Sequence, residues 1–254
     1  MWAMVAMRVE AGRGWGWIVE GWRLFVKAPG IWLVIMLIYF AISIVLSFIP
    51  FVGTLASVLL GPVLAGGMLY GAAALAQGQS LEVGHLFQGF KDQDRMGPLV
   101  VLGLIGLAGG VVAGLVLFLF MGGGLLLGGV LDTTGAIIPP QTMTGLFAGA
   151  GLLALLLILL LCILIGMAFF YSVPLVMLAG QQVWPALQDS IAACWINFLP
   201  LTIFGLIYLV LGVLATIPLG LGFFVLGPVT VGAVYASYRD VFERPGRPSI
   251  NLAK

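Results

Sequence analysis

Long apolar runs, separated by short stretches in which polar residues recur at helical spacing, organise this chain from end to end. Six runs are long enough to cross a bilayer, whose hydrocarbon core takes about 20 residues of helix. They cover Ile31–Ile49, Val52–Gln77, Leu99–Met121, Leu146–Met177, Leu201–Ile217 and Leu219–Tyr238. The runs are continuous, not alternating, which excludes a transmembrane β-barrel. The pattern predicts an all-α integral membrane protein with six transmembrane helices.

Ahead of each odd-numbered run the apolar positions fall on one helical stripe. Trp15, Ile18, Val19, Trp22, Phe25 and Val26 are set against Glu20, Arg23 and Lys27. Val83, Leu86, Phe87 and Phe90 are set against Glu82, His85 and Gln88, and Leu187, Ile191, Cys194, Trp195 and Phe198 against Gln188 and Asp189. A short amphipathic helix lying along the membrane face is predicted at each place. Trp favours headgroup depth because its ring is apolar and its N–H is not. Trp15, Trp22, Phe87, Phe90, Trp184 and Trp195 are therefore the expected interface anchors and candidate contacts for lipid or a partner. Pro29, Pro98 and Pro200 mark the corners where the chain turns into the bilayer, at first helical turns where a missing N–H costs little.

An internal repeat underlies this order. Shifted by 102 residues, PLVVLGLIGL (98–107) overlies PLTIFGLIYL (200–209) with six of ten positions identical, and Gly78-Gln79 overlies Gly180-Gln181. A fixed offset points to a shared unit. The unit is an amphipathic helix followed by a helical hairpin, used three times, at about 14–78, 79–179 and 180–242. These form one transmembrane domain over 14–242, between an N-terminal segment 1–13 and a tail 243–254. The first and third hairpins share Ile-Pro tips (Ile49-Pro50, Ile217-Pro218) and Gly-Pro-Val in their second helices. Pro62 and Pro228 are expected to kink those helices.

Charge sets the orientation. All ten Lys and Arg fall on one side of a six-span chain, and the opposite loops, near Pro50, over Gly122–Gly145 and near Pro218, carry only Asp132. The positive-inside rule places both termini in the cytoplasm. Charged residues are 7% of the chain, far below the roughly 25% of soluble domains, and net charge is +1, so no nucleic acid partner is expected. The first residues, MWAMVAMRVEAGRGWGW, lack the order of a cleavable signal peptide.

Candidate chemistry is sparse. His85 and Glu82 could form a proton-carrying or metal-binding pair, but the repeat replaces them with Leu187 and Trp184, which favours a solvated segment. Cys162 and Cys194 have no ligand-spaced neighbours and read as reduced buried thiols. Asp132-Thr133-Thr134-Gly135 is reminiscent of an aspartic-protease loop without the second acid such a site needs. Gly149–Ala154 fits a loose dinucleotide pattern within a span, with no strand before it. Glycines at spacing four, Gly106/Gly110/Gly114, Gly67/Gly71 and Gly145/Gly149, suit close packing of helices within the chain more than a homodimer face. No ionisable residue lies well inside a span, which disfavours pumps and ion-coupled carriers. No catalytic residue, cofactor or metal is expected.

The Gly21–Phe25 segment, GPVLAGGMLYGAAALAQGQSLEVGHLFQGF and YSVPLVMLAGQQVWPALQDSIAACWINFLPL together resemble uncharacterised bacterial six-helix inner-membrane proteins. These are related to YciC-like proteins and to the membrane domain of some glycerophosphoryl diester phosphodiesterases. The resemblance covers roughly Gly14 to Tyr238. It implies the bacterial inner membrane and a role in envelope or lipid homeostasis, and it assigns no catalytic residue. The leading expectation is a binding or scaffold protein, not an enzyme. Its partners would be membrane lipids, with another envelope protein or further copies of the chain left open. The rival is a transporter or scramblase of lipids or small neutral molecules, with Pro62 and Pro228 as the moving elements.

Overall fold

The computed structural model describes residues 6–133 and 140–243, with backbone alone for 121–133, 140–148 and 150. Among the described residues every regular element is helical. Helix α1, Arg13–Lys27, ends at Ala28 because a residue preceding proline is pushed out of the helical region. Pro29 then opens α2, Pro29–Ser47, at a position where no N–H is required. A tight turn leads into α3, Val52–Ala76. Gly78, at φ +82°, closes α3 with Gln79 N–H bonded to the Ala74 carbonyl and its own N–H to that of Leu75, a Schellman cap.

The stretch that follows departs from the expected amphipathic helix. It is a 3-10 turn, Val83–Phe87, and a single α turn, α4, Gln88–Lys91. Gly84 and Gly89 weaken helix propagation, and Gly89 lies against the Val63 carbonyl of α3, where no side chain would fit. Helix α5, Gln93–Thr133, begins ahead of Pro98, so this proline sits inside the helix and not at its corner. Helix α6 covers Pro140–Phe170. The long outer loop expected over 122–145 is thus mostly helix, because its glycines are interleaved with leucines that sustain the α5 pattern. Within D-T-T-G, Thr134 and Gly135 lie outside the described residues, as do the basic residues of the tail, Arg244, Arg247 and Lys254. Helices α7 (Ser172–Met177), α8 (Val183–Ile196), α9 (Phe198–Thr216) and α10 (Phe223–Phe242) complete the chain.

Among the described residues, five segments are long and apolar enough to cross a membrane: α2, α3, Gln93–Phe120 of α5, Gly151–Met177 through α6 and α7, and α9. The chain is therefore an α-helical, multi-pass membrane protein in type. The sixth expected span corresponds to α10, which has 20 residues but ends in Arg239 and Asp240 and is interleaved with Gly, Thr, Ser and Tyr, so its apolarity falls short of the other five.

The chain divides into two compact units, Met1–Leu104 with Met167–Lys254, and Ile105–Gly166. In the first, α10 is packed by α1, α2, α3 and α9, with more than half of its residues buried. Trp17, Trp32, Leu86, Leu99, Leu102, Tyr171, Leu175 and Tyr238 are fully buried, while Leu37, Val45, Leu206, Leu209 and Val213 are exposed. An apolar exterior of this extent suits lipid as solvent. The second unit is a pair of helical segments in which Gly109 lies against Ile165, and Gly110, Gly114 and Gly149 face open space.

Candidate functional site

In the first unit, α1 has three distinct faces, and α8 carries a similar line of exposed apolar residues. In α1, Gly14, Trp17, Ile18, Gly21, Leu24 and Phe25 are buried against the protein. The adjoining face carries exposed Trp15, Trp22 and Val26, and the third carries Gly16, Glu20, Arg23 and Lys27. In α8 the buried side is Ala186, Leu187, Ser190, Ala193 and Cys194, the exposed apolar residues are Trp184, Ile191 and Trp195, exposed Gln188 lies on the same line as these, and Asp189 lies on another face. The exposed apolar residues recur at i, i+7 and i+11 in both helices, which is a straight line along the surface. The sequence stripe for α1 merged the first two faces and missed Trp17, Gly21 and Leu24, because glycines do not register as apolar anchors. Gly21 permits the contact: a Cβ there would lie 2.2 Å from the Val229 carbonyl of α10.

A charged network fixes α1 on α10. Arg13 donates to Glu20 at 2.7 Å and to Asp240 at 2.6 Å, Arg239 donates to Glu20 at 2.7 Å, and the Trp17 indole N–H donates to Asp240 at 2.8 Å. Burial lowers the pKa of Arg13, but the hydrogen bonds and negative charges of Glu20 and Asp240 outweigh it and hold the value above its ordinary level. Buried Asn197, between α8 and α9, accepts from the Val9 N–H and donates to the Met7 carbonyl, both at 2.9 Å, so the chain before α1 is held in the same assembly.

Ser190 of α8 explains the break between α6 and α7. Its hydroxyl accepts from the Tyr171 N–H at 2.9 Å and donates to the Met167 carbonyl at 2.6 Å. Those two backbone groups would pair directly in an uninterrupted helix, so the side chain is inserted into the ladder. Pro174 adds to the break by removing a further N–H. Cys194 Sγ also reaches the Met167 carbonyl, at 3.5 Å, and burial pushes its thiol up to about 12, which makes it inert at neutral pH.

Glu82 and His85 come together as a capping box. The Glu82 carboxylate accepts from the His85 N–H, and His85 Nδ1 accepts from the Glu82 N–H at 3.2 Å. The imidazole lies edge-on to Tyr70 at 5.4 Å, and burial lowers its pKa. The pair closes a turn seated on α3, where Gly67 and Gly71 leave room for the Leu86 carbonyl, Leu81 and His85. The Gly67/Gly71 face therefore packs within the chain. Phe87 and Phe90 are half-buried, 6.4 Å apart, and less available than the tryptophans. Among the described residues no group of His, Cys, Asp and Glu has a metal-binding arrangement.

Sequence reasoning also missed an apolar cavity of about 380 Å³ between the apolar helices. Its walls are Met36, Tyr39 and Phe40 of α2, Ala65, Met68 and Leu69 of α3, Phe169, Phe170, Val173 and Pro174 around the α6–α7 break, Tyr208 of α9, and Phe223, Gly227, Thr230, Val231 and Val234 of α10. Most of these side chains are half-buried, so the cavity opens at the molecular surface. Its polar atoms are hydroxyls: Tyr39, Tyr208 and Thr230, the last donating to the Leu226 carbonyl at 2.7 Å. Pro174 lines it directly, Pro228 follows Gly227 of its wall, and Pro62 lies one turn before Ala65. The carbonyl freed by Pro62, that of Val58, faces Gly103, where an added Cβ would come to 2.8 Å. No local periodicity signals such a space, because its walls come from five separated segments.

Comparison with known proteins gives no matching family model, no matching curated protein and no matching solved structure.

Proposed function

We propose that this chain is a membrane-embedded lipid-binding protein that holds the acyl chain of a bilayer lipid in the cavity between α2, α3, α7 and α10. The cavity carries the reading. At about 380 Å³ it falls within the range of about 300–1,000 Å³ usual for ligand pockets. An acyl chain gains little hydrophobic free energy by moving there from lipid, which is equally apolar. Occupation is instead favoured by dispersion contacts that an empty space forfeits. Tyr39, Tyr208 and Thr230 offer hydroxyls to ester groups and discriminate against plain hydrocarbon.

The full topology belongs to the same proposal: six spans in three hairpins, both termini cytoplasmic, in a bacterial inner membrane. Support for α10 as the sixth span comes from its enclosure, since polar residues in a span are tolerated where they face protein. Arg13 and Arg239 meet on Glu20, and Arg95 donates to the Val176 carbonyl at the end of α7, which supports one basic side. The resemblance to YciC-like proteins would make the role one of envelope or lipid homeostasis, as a scaffold or carrier without catalysis.

Native mass spectrometry of protein extracted gently from its own membranes tests the proposal. One lipid class is expected to remain bound, and Ala65→Phe, which fills the cavity, is expected to release it. Equal lipid retention by both forms would overturn the reading, and a protein retained at fixed stoichiometry without lipid would favour a scaffold. Three prolines around one cavity favour a second reading, lipid movement across the bilayer by helix rearrangement. Reconstituted vesicles with no protein-dependent transfer of labelled lipid would exclude it.

A further inference from the structure

The first and third hairpins end in tips that contain no polar side chain from Phe48 to Gly53 or from Ile217 to Val229. Phe48, Phe51, Ile217 and Leu219 are 80%, 90%, 74% and 97% exposed. A water-facing turn is ordinarily polar, and bulky residues are costly at positive φ. Yet each proline is followed by such a residue, Phe51 at φ 59° and Leu219 at φ 53°. Several backbone donors of the tips are closed internally. Val52 N–H bonds to the Pro50 carbonyl at 2.6 Å in a γ-turn, and Gly53 N–H to that of Ile49 at 2.9 Å. Gly220 N–H bonds to the Thr216 carbonyl and Leu221 N–H to that of Pro218, at 3.2 and 3.0 Å. Pro50 and Pro218 each remove one donor outright. Glycine makes both turns tight: a Cβ on Gly53 would strike the Leu46 carbonyl, and one on Gly222 would lie 2.5 Å from Ala215 Cα.

Wholly apolar side chains over a largely paired backbone suit lipid better than water. The tips also continue the lipid-facing surfaces of their helices, from Leu37, Ile44 and Val45 to Phe48 and Phe51, and from Leu209, Val210 and Val213 to Ile217 and Leu219. Length agrees. Helices α2 and α9 have 19 residues each, roughly 28 Å at helical rise, no more than the hydrocarbon core of about 30 Å. Helices α1 and α8, with their tryptophan faces, hold the other ends at headgroup depth.

We infer that the tips of the first and third hairpins are seated in the acyl region of the far leaflet and do not emerge into water. The inference rests on α2 and α9 crossing the bilayer, as in the proposal above. The test uses Phe51→Cys, Leu219→Cys and Phe48→Cys, each in a Cys162→Ser background, in nanodiscs, where both membrane faces meet the solution. A membrane-impermeant maleimide is expected to label them roughly tenfold or more slowly than Asp94→Cys at the exposed start of α5, because maleimide needs a hydrated thiolate. Spin labels at Phe48 are expected to be relaxed by oxygen and not by a water-soluble nickel complex, a readout independent of thiol reactivity. Labelling at the Asp94 rate with Leu37→Cys protected would overturn the inference while leaving the crossing intact. Labelling of Leu37→Cys as well would overturn the crossing itself.

Discussion

Ser190 and His85 show how much of this structure depends on single polar atoms meeting backbone. Removing the Ser190 hydroxyl leaves the Met167 carbonyl and Tyr171 N–H buried without their bridge. Ser190→Ala is expected to cost about 1–3 kcal/mol, seen as a lower thermal midpoint in detergent; an unchanged midpoint would mean that another group closes the gap. His85 responds to pH. Its Nδ1 accepts the Glu82 N–H, so the neutral ring is the one that fits, and burial keeps the folded pKa below the ordinary 6.5. The unfolded turn therefore takes up the proton first as pH falls. The stabilising contribution is whole above 6.5 and fades as pH drops through the lowered folded value. Hydrogen exchange over Val83–Lys91, corrected for intrinsic rate, is expected to rise at acidic pH in the wild type and to lose that dependence in His85→Ala. The sequence reading placed His85 in a solvated segment and named Glu82 as its neighbour, but a capping box in a 3-10 turn was hidden by a spacing that also fits a longer helix.

At the scale of the element, run lengths and prolines were the most legible signals. The apolar runs locate α2, α3 and α9 to within a few residues, and the Ala28-Pro29 corner follows from backbone sterics alone. Glycine caused the misreadings. It interrupts the expected helix around Val83–Phe90, yet fails to interrupt α5 between Met121 and Thr133. In α1 it disguised the protein-facing side, since Gly14 and Gly21 are contact points that carry no hydrophobic signal. That side is testable. Gly21→Ala would place a methyl 2.2 Å from the Val229 carbonyl and 2.8 Å from the Ala233 nitrogen. It is expected to lift α1 from α10 and destabilise the fold by about 1–3 kcal/mol, again read as a thermal midpoint. Trp15→Ala, on the exposed face, should leave that midpoint nearly unchanged and weaken only the depth at which α1 sits. A large loss of stability from Trp15→Ala would contradict the division of α1 into separate protein and lipid faces.

Across the whole molecule, composition and hydropathy were enough to read an α-helical membrane protein, whereas the cavity was beyond reach of any linear pattern. Its walls are assembled from α2, α3, α9, α10 and the broken α6–α7 segment, where Pro174 and Gly227 both line it. Pro62 and Pro228, where kinks are expected, lie close in sequence to the cavity-lining Ala65 and Gly227. The central claim is that a lipid chain occupies the cavity. The most direct measurement is photolabelling in nanodiscs with a phospholipid bearing a diazirine in its acyl chain, followed by mapping of the adducts. Adducts concentrated on Met36, Tyr39, Phe40 and Thr230, and depleted there in Ala65→Phe, are the expected result. Adducts spread in proportion to exposure over residues such as Val45, Leu206 and Val213, with none in the cavity, would contradict the account.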